Sequence, residues 1–323
     1  FDDEAPVGET RVLEYLGLDD TILDIGLTPN RADCNAMWNL AKEVGAVLHR
    51  KVTWPDCKSA SQIGTPNTFK VASKTEKCPT FLGKVVNHVK VGPSPKWLSN
   101  YLHAYGIKSI NNVVDISNFV MVETGQPLHY YDLSKLPHHE ITVVDDVEMT
   151  MQALDGQDYE IKKGDLLITT GGEPTGIAGI MGGEESKIDE STTSSFLEAA
   201  AFNAVSVRNT SRRLGLSTEA AMHFTKGVEP MAPIKAVDRS VQLLKELAEA
   251  DGFEENVLVG TIEDPVKTVS ETLTHCNTLL GTEFTMDQVL GVLKDLDLNP
   301  VQDGDCFTCT IPSYRTDLNI RED

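Results

Sequence analysis

Apolar residues fall at Ala36, Met37, Leu40, Ala41, Val44, Val47 and Leu48, the spacing of one helix face over three turns, with Asp33 placed to cap it. Just before it, TILDIGL alternates polar and apolar residues and predicts a strand ending at Thr28-Pro29-Asn30. A polar, Pro-containing passage over 53–66 reads as a linker. FKVAS and FLGKVVNHVKV then predict strands, and a helix follows around 95–105. The stretch 111–123 places Val113, Ile116, Phe119, Val120 and Met121 at helical spacing, with Gly125 as the stop and Pro127 as a bar to restarting. The extended segment that leaves it carries His129, in ETGQPLHYYD. ITVVDD, MTMQAL, YEIKK and DLLITT predict further strands, with a hairpin turn at Asp155-Gly156. A glycine-rich loop, TGIAGIMGGEES, precedes another strand, SSFLEAAAF. Ile234, Val237, Val241, Leu244 and Leu247 mark a long helix stopped by Gly252. Near the end, Thr285-Met-Asp-Gln288 is a capping box stapled by Phe284 and Val289, opening a helix over 286–298. A hairpin at Asp303-Gly304 leads into CFTCTI. Strands and helices are segregated along the chain, which predicts an α+β, multidomain protein.

The 323 residues suggest two or three domains, and 40% apolar content suffices for packed cores. No apolar run approaches the ~18 residues that cross a bilayer. FDDEAPVGET lacks the basic and apolar regions of a signal peptide; it and the final NIRED read as edges within a longer chain. A net charge of −21 argues against nucleic-acid binding by bulk attraction, while permitting a locally basic face. The six scattered cysteines fit a reducing compartment. Cys306 and Cys309 form the single C-x-x-C, but in a strand they point to opposite faces and do not make a zinc site.

Three features bear on chemistry. The glycine loop lacks the Lys-Ser/Thr of a P-loop and the dinucleotide spacing; it reads equally as a turn-rich packing motif or as backbone that a ligand approaches closely. The window 205–227 sets Arg208, Arg212, Arg213 and Lys226 against one acid, Glu219, in an acidic chain. That is either a solvated helix face or a phosphate dock. Glu198, among small and apolar neighbours, is either a solvent-facing strand residue or a buried acceptor.

The motifs TPNRADCNAMWNLAKEVGAVL, NNVVDISNFVMVETGQPLHYYD, IAGIMGGEES, LEAAAF, TSRRLGLSTEAA and PSYRTDL occur in this order. Together they closely resemble the β subunits of bacterial phenylalanyl-tRNA synthetases, over essentially the whole chain. The resemblance implies the end of an N-terminal domain (1–55), a mixed α/β tRNA-binding editing domain (56–262) and a truncated, small α+β domain resembling DNA-binding modules (263–323). It implies hydrolysis of tyrosine mistakenly attached to the phenylalanine tRNA, with no cofactor for that step. It also implies a cytoplasmic (αβ)2 heterotetramer whose α subunit uses ATP to make phenylalanyl-tRNA, with no membrane and no DNA partner. An apolar pocket for phenylalanine rejects an analogue bearing an added hydroxyl only by roughly a hundredfold, so a second site that demands the hydroxyl is needed.

By the same resemblance, Glu198 recognises the phenol, and Ala178, Gly179 and Gly182 approach the ligand with their backbones. His129, Asn118 and Ser117 surround the ester and terminal adenosine, and Thr218 and Ala220 line the pocket. The favoured role of His129 is to position water and substrate, with a ribose hydroxyl assisting; a general base is the other reading. Lys108 stands where the family commonly has Arg, and Ala221, His223 and Thr225 depart from its Ser, Arg and Glu. Asp317 and Asp323 match two of four carboxylates that hold Mg2+, an incomplete site here. A non-catalytic tRNA-docking and assembly piece is the alternative function.

Overall fold

The computed structural model describes residues 6–57 and 63–323; part of the expected linker, 58–62, lies outside the described residues. The first segment holds a short helix, α1 (Val12–Leu16), and α2 (Met37–Val47), which follows a 3-10 turn at Ala32–Asn35. Two expectations change here. Residues 21–28 form no strand, and Ile22, Leu23 and Ile25 are exposed: alternation makes a strand only where a neighbour takes its backbone hydrogen bonds. Asp33 does not cap α2, whose N-cap is Ala36, because its carboxylate accepts from Arg31 Nε at 3.0 Å and Nη2 at 2.8 Å.

The central elements follow in chain order: β1 (Lys70–Ser73), β2 (Thr80–Asn87), α3 (Lys96–Tyr105), α4 (Asn112–Thr124), β3 (His129–Asp132) and β4 (Glu140–Val144). Then come β5 (Met149–Gln152), β6 (Asp158–Ile161), β7 (Leu167–Thr170), β8 (Glu173–Ile177), β9 (Met181–Gly182) and β10 (Ser194–Ala201). Helices α5 (Ala204–Leu214), α6 (Glu219–Lys226) and α7 (Ala232–Leu247) precede β11 (Gly252–Phe253) and β12 (Val257–Gly260). The end of α7 is Ala248; Gly252, expected as its stop, opens β11 instead.

Three layers result. One sheet runs β1-β4-β7-β8-β9, parallel at β1/β4 and antiparallel elsewhere. The second runs β11-β2-β10-β3, with β12 also on β2, and β5/β6 form a separate hairpin. Period-two alternation divides β2, β3 and β10 between two cores. Phe81, Val85, Tyr131, Phe196 and Ala200 join the core shared with Ile141, Leu167 and Ile177 of the first sheet. Leu82, Val86, Tyr130, Leu197 and Ala199 pack instead with Leu98, Ile116, Val120, Val237 and Val241 on α3, α4 and α7. A strand covered on both faces is buried along its length, and FLGKVV in β2 is buried throughout, Lys84 included. Each fully buried Phe or Leu here contributes about 2–3 kcal/mol.

The last elements are β13 (Lys267–Thr272), α8 (Leu273–Leu280), α9 (Met286–Asp295), β14 (Val301–Asp303) and β15 (Cys306–Ile311), with a β13-β15-β14 sheet and a core of its own. The capping box at Thr285 and Gln288 forms, and α9 ends three residues earlier than the pattern predicts. Cys309 is buried in this core and Cys306 lies on the other face. This unit meets the first segment through ion pairs: Arg31, held within its own segment by Glu43 at 2.5 Å, reaches Asp317 at 4.0 Å, and Arg315 reaches Glu43 at 3.8 Å.

Candidate active site

The motif around α4 and β3 is chiefly an anchoring device. The Asn111 side chain caps α4, accepting from Val114 N at 2.9 Å. Asn112, buried, donates to Lys90 O and Leu247 O at 2.9 and 2.8 Å. Asp115, also buried, accepts from Ser94 Oγ at 2.5 Å, from Ile110 N at 2.8 Å and from Ser109 Oγ. With the start of the helix fixed in this way, Ser117 and Asn118 are brought one turn later onto a cavity of about 520 Å3. Gly125 ends α4 at φ +78°, a left-handed conformation that favours glycine. The buried Gln126 amide then donates to Ala200 O at 2.9 Å, clasping the turn to β10. That clasp sets His129 directly opposite Glu198 in the β3/β10 pairing.

Glu198 therefore projects from the middle of the second sheet, between His129 on one side and Gly83 of β2 on the other. Its carboxylate is buried, and Oε2 accepts from Tyr131 Oη at 2.6 Å. Burial pushes the Glu198 carboxyl up to about 7, with the Tyr131 hydrogen bond pulling the other way. The same burial pushes the His129 imidazole down to about 4. His129 Nε2 is sealed and has no hydrogen-bond partner among the described residues. Its ring stands edge-on to Tyr131, centroids 4.5 Å apart at 78°.

The glycine loop forms the opposite wall. Gly179 sits at φ +68°, and a Cβ there would lie 2.9 Å from Phe224. At Gly182 a Cβ would lie 2.4 Å from His129 Cε1 and 2.6 Å from Nε2, so only a bare Cα fits against the imidazole. Thr218, the N-cap of α6, donates to Ile180 O at 2.9 Å and accepts from Ala221 N at 3.1 Å, tying the loop to that helix.

The cavity wall includes Ser117, Asn118, His129, Gly179, Gly182, Glu198, Thr218 and Ala220. Ser117 Oγ is turned back onto Val114 O at 2.6 Å, while Asn118 makes no side-chain hydrogen bond to a described residue. Two residues stand apart. Ala178 is packed in the core with its N–H donated to Leu166 O at 3.0 Å, so it does not line the cavity. Lys108 is exposed on the loop whose Ile107 and Ile110 do line it. Residues not singled out from the sequence also contribute, Tyr131, Leu154, Ile180 and Phe224 among them. Tyr131 had a signal: on a strand it shares a face with His129.

Of the basic window, Arg208 and Arg212 are exposed on α5. Arg213 is pinned to Asp165 and to Glu160 O, and Lys226 donates to Asn35 Oδ1 at 3.3 Å. Ala221 and His223 are buried and Thr225 is half-buried, so these three do not form an exposed binding face. The Mg2+ expectation fits poorly. Asp317 is held by Arg315 Nε at 2.9 Å and Nη2 at 3.1 Å, and the Asp323 carboxylate accepts from the backbone N–H groups of Asn319 and Ile320. Among the described residues the one group spaced as metal ligands is Asp33, Cys34 and Glu43, and the Arg31 guanidinium already bridges it. No helix among the described residues is long and apolar enough to cross a membrane.

Comparison with known proteins places this geometry. The B3/4 domain model matches residues 77–249 and the tRNA synthetase B5 domain model matches 269–323. Phenylalanine–tRNA ligase beta subunits of Halalkalibacterium halodurans and Streptococcus thermophilus are 38% and 37% identical, over 100% and 99% of this chain and 40% of each relative. That of Geobacter sulfurreducens is 37% identical over 98% of the chain and 40% of the relative. An N-terminal fragment of the phenylalanyl-tRNA synthetase β-subunit from Pyrococcus horikoshii overlaps 90% of this chain and 81% of its own, at 11% identity and a TM-score of 0.42. The chain spans about 40% of the length of the curated relatives it matches. With a B3/4 model covering more than half of its residues, the chain belongs to the B3/4 domain family, in the form carried by phenylalanine–tRNA ligase beta subunits.

Proposed function

We propose that this chain carries an editing site that hydrolyses tyrosyl-tRNA(Phe) within a phenylalanine–tRNA ligase. In that reading the whole enzyme is a cytoplasmic (αβ)2 assembly that joins phenylalanine to its tRNA. The α subunit uses ATP and Mg2+ for the synthesis. Residues 56–262 are the editing unit, flanked by 1–55 and 263–323. The observation that carries the reading is the Glu198 carboxylate at the cavity wall, with Oε2 engaged by Tyr131 and Oε1 taking no hydrogen bond from a described residue. A phenol entering the cavity finds an acceptor, whereas a phenyl ring leaves a buried carboxylate oxygen unpaired, at a cost of about 1–3 kcal/mol.

His129 and Asn118 orient the ester and a water for attack on the carbonyl carbon. A histidine pushed down to about 4, with Nε2 sealed beneath Gly182, is a poor general base at neutral pH, which supports positioning. The hydroxyl of Ser117 is engaged within its own helix, which supports a wall role over nucleophilic attack. The exposed Arg208 and Arg212 are the available phosphate contacts, more so than Arg213 and Lys226. The deciding measurement is deacylation of tyrosyl- against phenylalanyl-tRNA(Phe) by the complete enzyme and by Glu198→Ala and His129→Ala. A strong tyrosyl preference that Glu198→Ala erases is the expected result. Equal or absent activity on both esters leaves a docking and assembly role instead. Near-normal turnover with weaker binding in His129→Ala excludes an essential base.

A further inference from the structure

We propose that Tyr131 is a specificity-determining positioning residue of this cavity: its hydroxyl holds one oxygen of Glu198 and thereby directs the other toward the ligand. The inference deepens the editing reading and rests on it. Its basis is strand geometry. His129 and Tyr131 alternate with Tyr130, so both face the first sheet, while Tyr130 turns to the helices and pairs its hydroxyl with Ser240. Glu198 lies opposite His129 and Phe196 lies opposite Tyr131, which makes Tyr131 the diagonal neighbour of Glu198. A diagonal separation is one that an aromatic side chain can span. Tyr131 Oη does so, donating to Oε2 at 2.6 Å, and both residues are buried. Oε1 takes no hydrogen bond from a described residue and is not sealed from the cavity.

One carboxylate oxygen thus carries a resident phenol and the other faces the space where a second phenol would arrive. The resident hydroxyl does two things. It locks the carboxylate rotamer, since a carboxyl without it could swing either oxygen inward. It also keeps the group an acceptor, because a donor bonded to the charged form opposes the burial that favours protonation. Few other groups tune it. The Cys78 thiol lies close enough for the Glu198 charge to push it further up, and His129 opposite is held neutral by burial. At the cavity edge stand Glu219 and the Lys187–Glu184 pair. Lys84, next to Gly83 on β2, donates to Glu254 O on the far face of the sheet.

The test is Tyr131→Phe in the complete ligase, which removes one oxygen and preserves the ring. Deacylation of tyrosyl- and phenylalanyl-tRNA(Phe) is followed across about pH 5.5 to 9, the range of a carboxyl titrating near neutrality. The preference for the tyrosyl ester should fall roughly tenfold at neutral pH, as expected for losing a hydrogen bond to a charged group. Much of it should return at higher pH, because the acid limb of the profile moves up. In a Glu198→Gln background the same substitution should have no further effect on the preference, since Tyr131 acts through the carboxylate. An unchanged preference and profile overturns the proposal, as does an equal slowing on both esters with an unmoved profile. So does a full effect that persists in the Glu198→Gln background. Wild-type enzyme that treats both esters alike removes the editing reading itself, and this assignment with it.

Discussion

Replacing Glu198 by Gln should alter how stability depends on pH, whatever reaction the cavity performs. The carboxyl is pushed from 4.5 up to about 7 by burial. Between those values the folded protein keeps the proton that the unfolded chain has released, so the unfolded state binds fewer protons and stability falls as pH rises. The contribution is fully present below 4.5 and is lost as pH climbs through about 7. At 1.36 kcal/mol per unit the whole span is worth about 3 kcal/mol. Gln cannot ionise, and its amide oxygen can still accept from Tyr131, so the variant lacks this loss. His129 and His223, both pushed down to about 4, act oppositely and lose stability as pH falls from 6.5 toward 4. Their contributions are common to both proteins and cancel in the difference. Urea midpoints for wild type and Glu198→Gln across about pH 4 to 8 give that difference directly. Relative to wild type, the variant should gain about 3 kcal/mol from the acid to the alkaline end. A difference that stays flat, or that runs the other way, refutes the burial argument.

Gly182→Ala should abolish at least 90% of deacylation while the fold survives, because the new methyl must displace the His129 ring from 2.4 Å; an ~1 Å misplacement costs up to about a hundredfold. Wild-type turnover would show that the ring position is immaterial. Arg31→Met should destabilise by about 1–3 kcal/mol, as losing charge-assisted hydrogen bonds in a half-buried network does. It leaves Asp33 and Glu43 without the guanidinium they share, and limited proteolysis should find the first segment loosened from the last unit. Lys84→Met should cost about 1–3 kcal/mol. The lysine is fully buried in β2 and donates to Glu254 O at 2.6 Å, Ile63 O at 3.1 Å and Asn256 Oδ1 at 3.2 Å. Faster amide exchange at Phe253 and Glu254 is the specific signature, since β11 is short and relies on that clasp.

Legibility in the sequence follows how local each decision is. Helix α4 could be read because its apolar spacing and its glycine stop lie within 15 residues; α9 has a local capping box at its start but no glycine stop, so its start is legible and its end is not. The Asp33 cap failed for a reason visible two residues away, where Arg31 competes for the same carboxylate. The strand expected at 21–28 failed because pairing depends on a distant neighbour. In β2 and β10 the pattern is ambiguous by construction: with layers on both faces, a polar residue signals no solvent. Lys84 and Glu198 accordingly look like surface positions and are buried, on opposite faces of one sheet. Tyr131 is legible only in part: alternation on a strand puts it on the face of His129. Its aromatic ring belongs to the core, and only the register of β3 on β10 brings its hydroxyl to a carboxylate.

That register also constrains the chemistry. Glu198 and His129 share one buried spot, and burial disfavours charge on both, raising the acid to about 7 and lowering the base to about 4. When one proton is available to the pair, it therefore resides on the carboxyl and leaves the imidazole neutral. The reverse order, an imidazolium beside a carboxylate, is what a general base would need after taking a proton from water. Burial of both groups disfavours that charge-separated state. On the proposed editing reading, the burial that leaves Glu198 as the acceptor for a phenol also disfavours an imidazolium at His129, which supports a positioning role for that residue.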